Sequence, residues 1–157
     1  MPIEYELCKR LAEILKDLFT EAGIEIEVDG NLLVDADGFK DVDDTGAGSK
    51  LYVTVSPRSY PEYTAKTAEM DVKLEADIRH DDSTDGAKVV ECYGRLIDLL
   101  DLWHDDFAAM KAELSIDGFS PCGLRLSGGQ WNRESDPLGW SLDQTFTIKG
   151  RLSRNPS

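Results

Sequence analysis

Ala68-Glu69-Met70-Asp71-Val72-Lys73-Leu74-Glu75-Ala76-Asp77-Ile78-Arg79 is the stretch that decides how this chain folds. Ala68, Met70, Val72, Leu74, Ala76 and Ile78 fall on one side, and Glu69, Asp71, Lys73, Glu75, Asp77 and Arg79 on the other. A period of two held this long specifies a half-buried strand, because successive side chains point to opposite faces. Its apolar face needs a cover. After the acidic run Asp81-Asp82-Ser83-Thr84-Asp85, which offers several N-cap residues, Val89, Tyr93, Leu96, Ile97, Leu100 and Trp103 recur at helical spacing and supply one. This helix is expected from near Gly86, ending either at His104 or as far on as Met110.

Outward from this unit, Ile3, Leu7, Leu11, Ile14, Leu18 and Ala22 form the buried line of a first helix over about 2–22, widened by Leu15 and Phe19 and stopped by Gly23. Ile24, Ile26 and Val28 alternate with acids up to Asp29-Gly30-Asn31, which reads as a hairpin turn with Leu32 to Val34 as its return. Leu51, Val53 and Val55 give the next strand, closed by Pro57. Late in the chain, Leu114, Ile116, Phe119, Leu124 and Leu126 predict strand before a Ser127-Gly128-Gly129 turn. Leu138, Trp140, Leu142, Phe146, Ile148 and Leu152 then share one parity of a long last strand. The reading is a single domain over 1–157 of α+β class: a mainly antiparallel β-sheet with two α-helices packed on one face, able to offer its polar face or an edge to neighbours. At this length, folding buries roughly 70% of the surface the unfolded chain exposes, so no staple is needed.

Seventeen basic against thirty-one acidic residues give a net charge of −14, which argues against gripping nucleic-acid phosphates but not against a basic partner. The charge is uneven. Glu25, Glu27, Asp29, Asp35, Asp37, Asp41, Asp43 and Asp44 face only Lys40 between residues 25 and 48, and within this stretch 35–49 is expected to be a long acidic loop. After Asp143 the charged side chains are Lys149, Arg151 and Arg154, a short basic C-terminal tail that could meet the acidic loop of another subunit.

No cofactor, metal or catalytic set is expected. Gly46-Ala47-Gly48-Ser49-Lys50 lacks the hydroxyl residue after the lysine and the following helix that a phosphate loop requires. The run from Asp81 has Cys92 where a calcium loop needs its bidentate glutamate. His80-Asp81-Asp82 and His104-Asp105-Asp106 carry the right chemistry for a metal or acid–base site, but each lies just past an element end, where acids serve as caps. A helix of about 18 residues would hold the two nearly 30 Å apart. No serine elbow is present, and Cys8, Cys92 and Cys122 match neither a disulfide framework nor a zinc spacing, which fits an intracellular setting. Neither an exporting leader nor a membrane-spanning run is read in the chain. Among the tryptophans, Trp131, beside Gly128-Gly129 and before Arg133, is expected to be exposed and to mark a contact surface.

The order of parts resembles the tail terminator, or tail completion, proteins of long-tailed bacteriophages. The resemblance lies in the opening helix Ile3 to Ala22, the strand Leu51 to Val55 closing on Ser56-Pro57, and the long strand Glu69 to Arg79. The acidic turn, the helix Arg95-Leu96-Ile97-Asp98-Leu99-Leu100-Asp101 and a last strand through Phe146-Thr147-Ile148-Lys149 complete it. It implies a non-enzymatic virion protein, located at the tail and neck after assembly in the host cytoplasm. Such a protein forms a homo-oligomeric ring, often a hexamer, on the last tail-tube layer and contacts the tube protein and the neck or head completion proteins. DNA would pass through without specific binding, for which acidic walls are suited. Asp35, Asp37, Asp41, Asp43, Asp44, Trp131, Arg133, Lys149 and Arg151 are the interface or lumen candidates; the 35–49 loop matches no family element. The alternative is an acidic binding or inhibitor protein, a nucleic-acid mimic acting on a basic protein.

Overall fold

The structure is a computed structural model, and it describes residues 2–24, 26–33, 49–61, 66–79, 86–135 and 138–153. The elements run α1 (Ile3–Glu21), β1 (Ile26–Leu33), β2 (Ser49–Val55), β3 (Thr67–Arg79), α2 (Gly86–Asp105), α3 (Phe107–Leu114), β4 (Phe119–Ser135) and β5 (Leu138–Leu152). One five-stranded sheet has the order β1-β2-β3-β5-β4. Its four strands β2, β3, β5 and β4 pair antiparallel, and β1 joins the edge in parallel with β2. The fold is α+β, as the alternation predicts.

β3 runs through the middle, in register with β5 from Thr67↔Arg151 to Arg79↔Gly139. All six residues of its apolar parity are at most 3% exposed, while Glu69, Asp71, Lys73, Glu75 and Asp77 opposite them are half-buried or exposed. Leu51, Val53 and Val55 of β2, and Leu142, Phe146 and Ile148 of β5, continue the same buried face. One core joins them to Leu7, Leu11, Leu15 and Phe19 of α1, Val89, Cys92, Leu96, Leu100 and Trp103 of α2, and Met110 and Leu114 of α3.

Helix ends follow local chemistry. At the C-terminus of α1, Gly23 takes φ +86°, its N–H donates to the Thr20 carbonyl, and Ile24 N–H donates to Phe19 O, each at 3.0 Å. This is the Schellman arrangement, with buried Ile24 and Phe19 as its apolar contact. The stripe of α1 is rotated from the expected line. Cys8 and Ala12 are buried with Leu7, Leu11 and Leu15, whereas Ile14 and Leu18 lie at the margin of the core. On α2 the stripe passes through Cys92, leaving Tyr93 42% exposed.

Three readings of the chain are corrected. Asp29-Gly30-Asn31 is not a hairpin turn: β1 continues to Leu33, absorbs a register shift between Asp29 and Leu32, and pairs in parallel with β2. Leu33 lies beside Val55 and Ile26 beside Ser49, so the residues that 34–48 join sit at opposite ends of the strand pair, where a parallel pair requires a long connection. Ser127-Gly128-Gly129 is likewise not a turn. It lies within β4 at a bulge, with Gly128 at φ +132° and its carbonyl accepting from Gln144 Nε2 at 3.0 Å and Thr145 Oγ1 at 3.3 Å. Leu114 ends a helix rather than starting a strand. Asp106 leaves the helical conformation and caps α3, accepting from the N–H groups of Ala108 and Ala109 at 3.1 and 3.3 Å, so the described residues hold three helices where two were expected.

The first turn of α1 is tied to the segment after β2 by an ion pair removed from bulk water. Arg58 donates through Nε to Glu4 Oε1 at 2.7 Å and through a terminal nitrogen at 2.6 Å, and the Glu4 side chain is only 9% exposed. Arg58→Ala strands that carboxylate, and is expected to lower stability by about 1–3 kcal/mol. Glu4→Gln with Arg58→Ala should cost less than the two single losses added, measured by denaturant unfolding; additive losses would show that the pair does not act as a unit.

Cys8 donates its S–H to Val53 O at 3.1 Å, and burial pushes its thiol up to about 12. Cys92 also rises to about 12, burial outweighing the nearby Arg95. At pH 8, a thiol reagent is expected to modify exposed Cys122 promptly and the other two only after unfolding. From about pH 9 to about 12, unfolded thiols ionise before the folded ones, so stability falls with rising pH. The Cys8→Ala, Cys92→Ala variant should lose that part of the slope in alkaline urea titrations.

Candidate functional site

The helices cover one face of the sheet; the other face is polar and carries no helix among the described residues. Its rows follow from the register. Lys50, Asp77, Ser141 and Asn132 stand across from one another, then Tyr52, Glu75, Asp143 and Gln130, then Thr54, Lys73, Thr145 and Gly128. Beyond them Asp71 lies beside Thr147, whose hydroxyl donates to Asp71 Oδ1 at 2.8 Å, and Glu69 opposite Lys149. Glu75 and Asp143 place like charges directly opposite, a destabilising arrangement that Lys73 relieves at 3.4 Å from Glu75. Thr54, Ser56, Asp71, Lys73, Arg125 and Ser127 line a shallow concavity of about 480 Å³ on this face. It is a surface of charges set across from one another and of hydroxyls.

Two strands have a free outer edge among the described residues: β1 on one side of the sheet and β4 on the other. They are unlike. β1 is short and parallel to its neighbour, whereas β4 is long, antiparallel and bulged at Pro121/Gly123 and Leu126/Gly128.

The expected site residues separate. Asp35, Asp37, Asp41, Asp43 and Asp44 lie outside the described residues, as does His80-Asp81-Asp82. Lys149 and exposed Arg151 sit together on β5, at the end of the polar face marked by Glu69 and Thr67. Arg133 is on β4 in register with Trp140. Trp131 faces the other way. It pairs with buried Leu142, is half-buried against the core, and meets Tyr93 edge-on with ring centroids 4.7 Å apart at 71°. Its expected exposure is corrected, because parity on β4 beyond the bulge turns it toward α2. Of the second His-Asp-Asp, His104 Nδ1 lies 3.1 Å from Asp105 Oδ1 on the surface, and Asp106 serves as the α3 cap. Lys50 lies in β2, a strand, where a phosphate loop would have a helix. Among the described residues no group of His, Cys, Asp and Glu is placed to hold a metal ion, and no helix is long and apolar enough to cross a membrane.

A feature not read from the sequence is a groove of about 550 Å³ on the outer side of the helical layer, between α1 and α2. Ile14 and Leu18 of α1 and Leu99 and Leu102 of α2 form its apolar walls. The signal was there in α2: Leu102 falls well off the stripe Val89, Cys92, Leu96, Leu100, Trp103, and Leu99 stands at its margin, so neither is fully buried.

Trp131→Ala is expected to cost about 1–3 kcal/mol in thermal or denaturant unfolding, because it empties the space under Tyr93. Trp131→Phe should cost less than about 1.5 kcal/mol, since the buried indole N–H has no acceptor among the described residues. An unchanged stability for Trp131→Ala would place the ring in solvent. No family model matches the chain, and no curated protein matches it.

Proposed function

We propose that the protein is a structural ring-forming subunit, a phage tail terminator that closes the head-proximal end of the tail tube and joins it to the neck. The observation that carries this reading is the pair of unlike edges on opposite sides of one sheet, β1 and β4, free among the described residues, beside a polar face that no described element covers. Head-to-tail rings need two different complementary patches per subunit, whereas a two-fold dimer needs one self-complementary patch. Arg151 adds an exposed positive charge at one end of the polar face, beyond the Glu69–Lys149 row, while the other end sets Lys50 across from Asp77. The order of elements supports the same assignment through its resemblance to tail terminators, and the net charge of −14 suits a lumen through which DNA slides without adhering. In this reading the partners are further copies of the chain, the tube protein and the neck proteins, and no chemistry is catalysed.

A second reading, an acidic binding protein acting on a basic partner, has the net charge in its favour. Light scattering after size exclusion separates the two. The terminator reading predicts a closed species near six times the 17.5 kDa chain mass, reduced to smaller species by Lys149→Glu with Arg151→Glu. A monomer at every protein and salt concentration, with salt-sensitive capture by basic proteins, contradicts it and supports the binding protein.

A further inference from the structure

The groove between α1 and α2 is more than a seam. On α1 its lining residues are Arg10, Ile14, Asp17, Leu18 and Glu21, and on α2 Arg95, Asp98, Leu99 and Leu102. These positions recur at intervals of three and four residues, so the groove follows the helix axes for about 16 Å at 1.5 Å per residue along α1. Its apolar content is not consumed by the fold: Leu102 remains 49% exposed.

The rim charges decide what can enter. Both guanidinium groups are already engaged. Arg10 donates through Nε to the Glu113 carbonyl at 2.8 Å and lies 3.4 Å from Glu13, while Arg95 lies 3.3 Å from Glu21 and 3.0 Å from Glu91. Asp17 and Asp98, exposed on the two sides of the apolar walls, make no hydrogen bond or ion pair among the described residues. The unmatched charge at the groove is therefore negative, within a chain whose net charge is −14.

We infer that this groove is a docking site for an amphipathic helix of a partner protein, with leucine-like side chains on one face and lysine or arginine beside them. A helix is the occupant that matches the geometry, because its own i, i+3, i+4 and i+7 side chains form a ridge that seats between two helices. The basic flank matches Asp17 and Asp98, and the apolar ridge covers Leu18, Leu99 and Leu102. The inference does not depend on ring assembly, since the groove lies on the helical side and the proposed ring surfaces lie on the sheet.

The test uses the full-length ¹⁵N-labelled chain and two synthetic peptides of one composition. One is a fifteen-residue (about four helical turns) Leu/Lys peptide patterned as an amphipathic helix, and the other scrambles that pattern. Amide shift changes are expected along α1 from Arg10 to Glu21 and along α2 from Arg95 to Leu102. The scrambled peptide and the Asp17→Lys, Asp98→Lys variant should each bind at least about tenfold more weakly (about 1.4 kcal/mol). Leu102→Asp, at a half-exposed position outside the buried core, should abolish the groove shifts while the spectrum of the free chain keeps its folded dispersion. Equal binding of both peptides, shifts scattered over the acidic surface, or dilution-dependent shifts at the groove without peptide would overturn the proposal. The last would mark the occupant as a second copy.

Discussion

Everything in this molecule hangs on the β3–β5 pairing, in which each residue of β3 from Thr67 to Arg79 has a partner and one parity is excluded from water. A one-residue slip would turn Met70, Val72 and Leu74 outward and bring Asp71, Lys73 and Glu75 into the core, so the register is fixed by burial rather than by any turn. With β3 and β5 in place, β2 and β4 add to their outer sides, and the apolar face demands the helical layer. Asymmetry between the faces follows directly. One is consumed by α1, α2 and α3, and the other, among the described residues, carries ordered rows of charge and hydroxyl.

What the sequence made legible was the part governed by long periodicity. The strand around Val72, the strand around Ile148, the two long helices and their side of the sheet all rest on many residues agreeing with one period. What it hid was decided by single residues. Gly128 could end a strand or bulge it, and the buried Gln144 amide bonded to its carbonyl belongs to the bulge, a contact between residues far apart in sequence. Asp106 could follow a helix or begin one. Asp29-Gly30-Asn31 has hairpin chemistry, yet pairing with β2 outweighs the local preference, and no periodicity in β1 reveals that its neighbour runs parallel.

The surfaces were less legible than the fold. Acidic and basic segments are visible in composition, but which charges are already engaged is not: Arg10 and Arg95 are held by Glu13, Glu91, Glu21 and a main-chain carbonyl, leaving Asp17 and Asp98 unmatched among the described residues. Trp131 shows the same lesson for an aromatic. Its neighbours Gly128 and Gly129 suggest a loop, whereas its parity on β4 places it over the core beside Tyr93.

Native-state hydrogen exchange resolved by strand tests whether the fold depends on the β3–β5 pairing. Amides of β3 and β5 are expected to exchange only through global unfolding, with free energies equal to that of denaturant unfolding. Those of β1, at an edge and broken between Asp29 and Leu32, should open at lower cost. Exchange from β3 as fast as from β1 would contradict the account, because the strand on which the fold depends would then be no more stable than its edge.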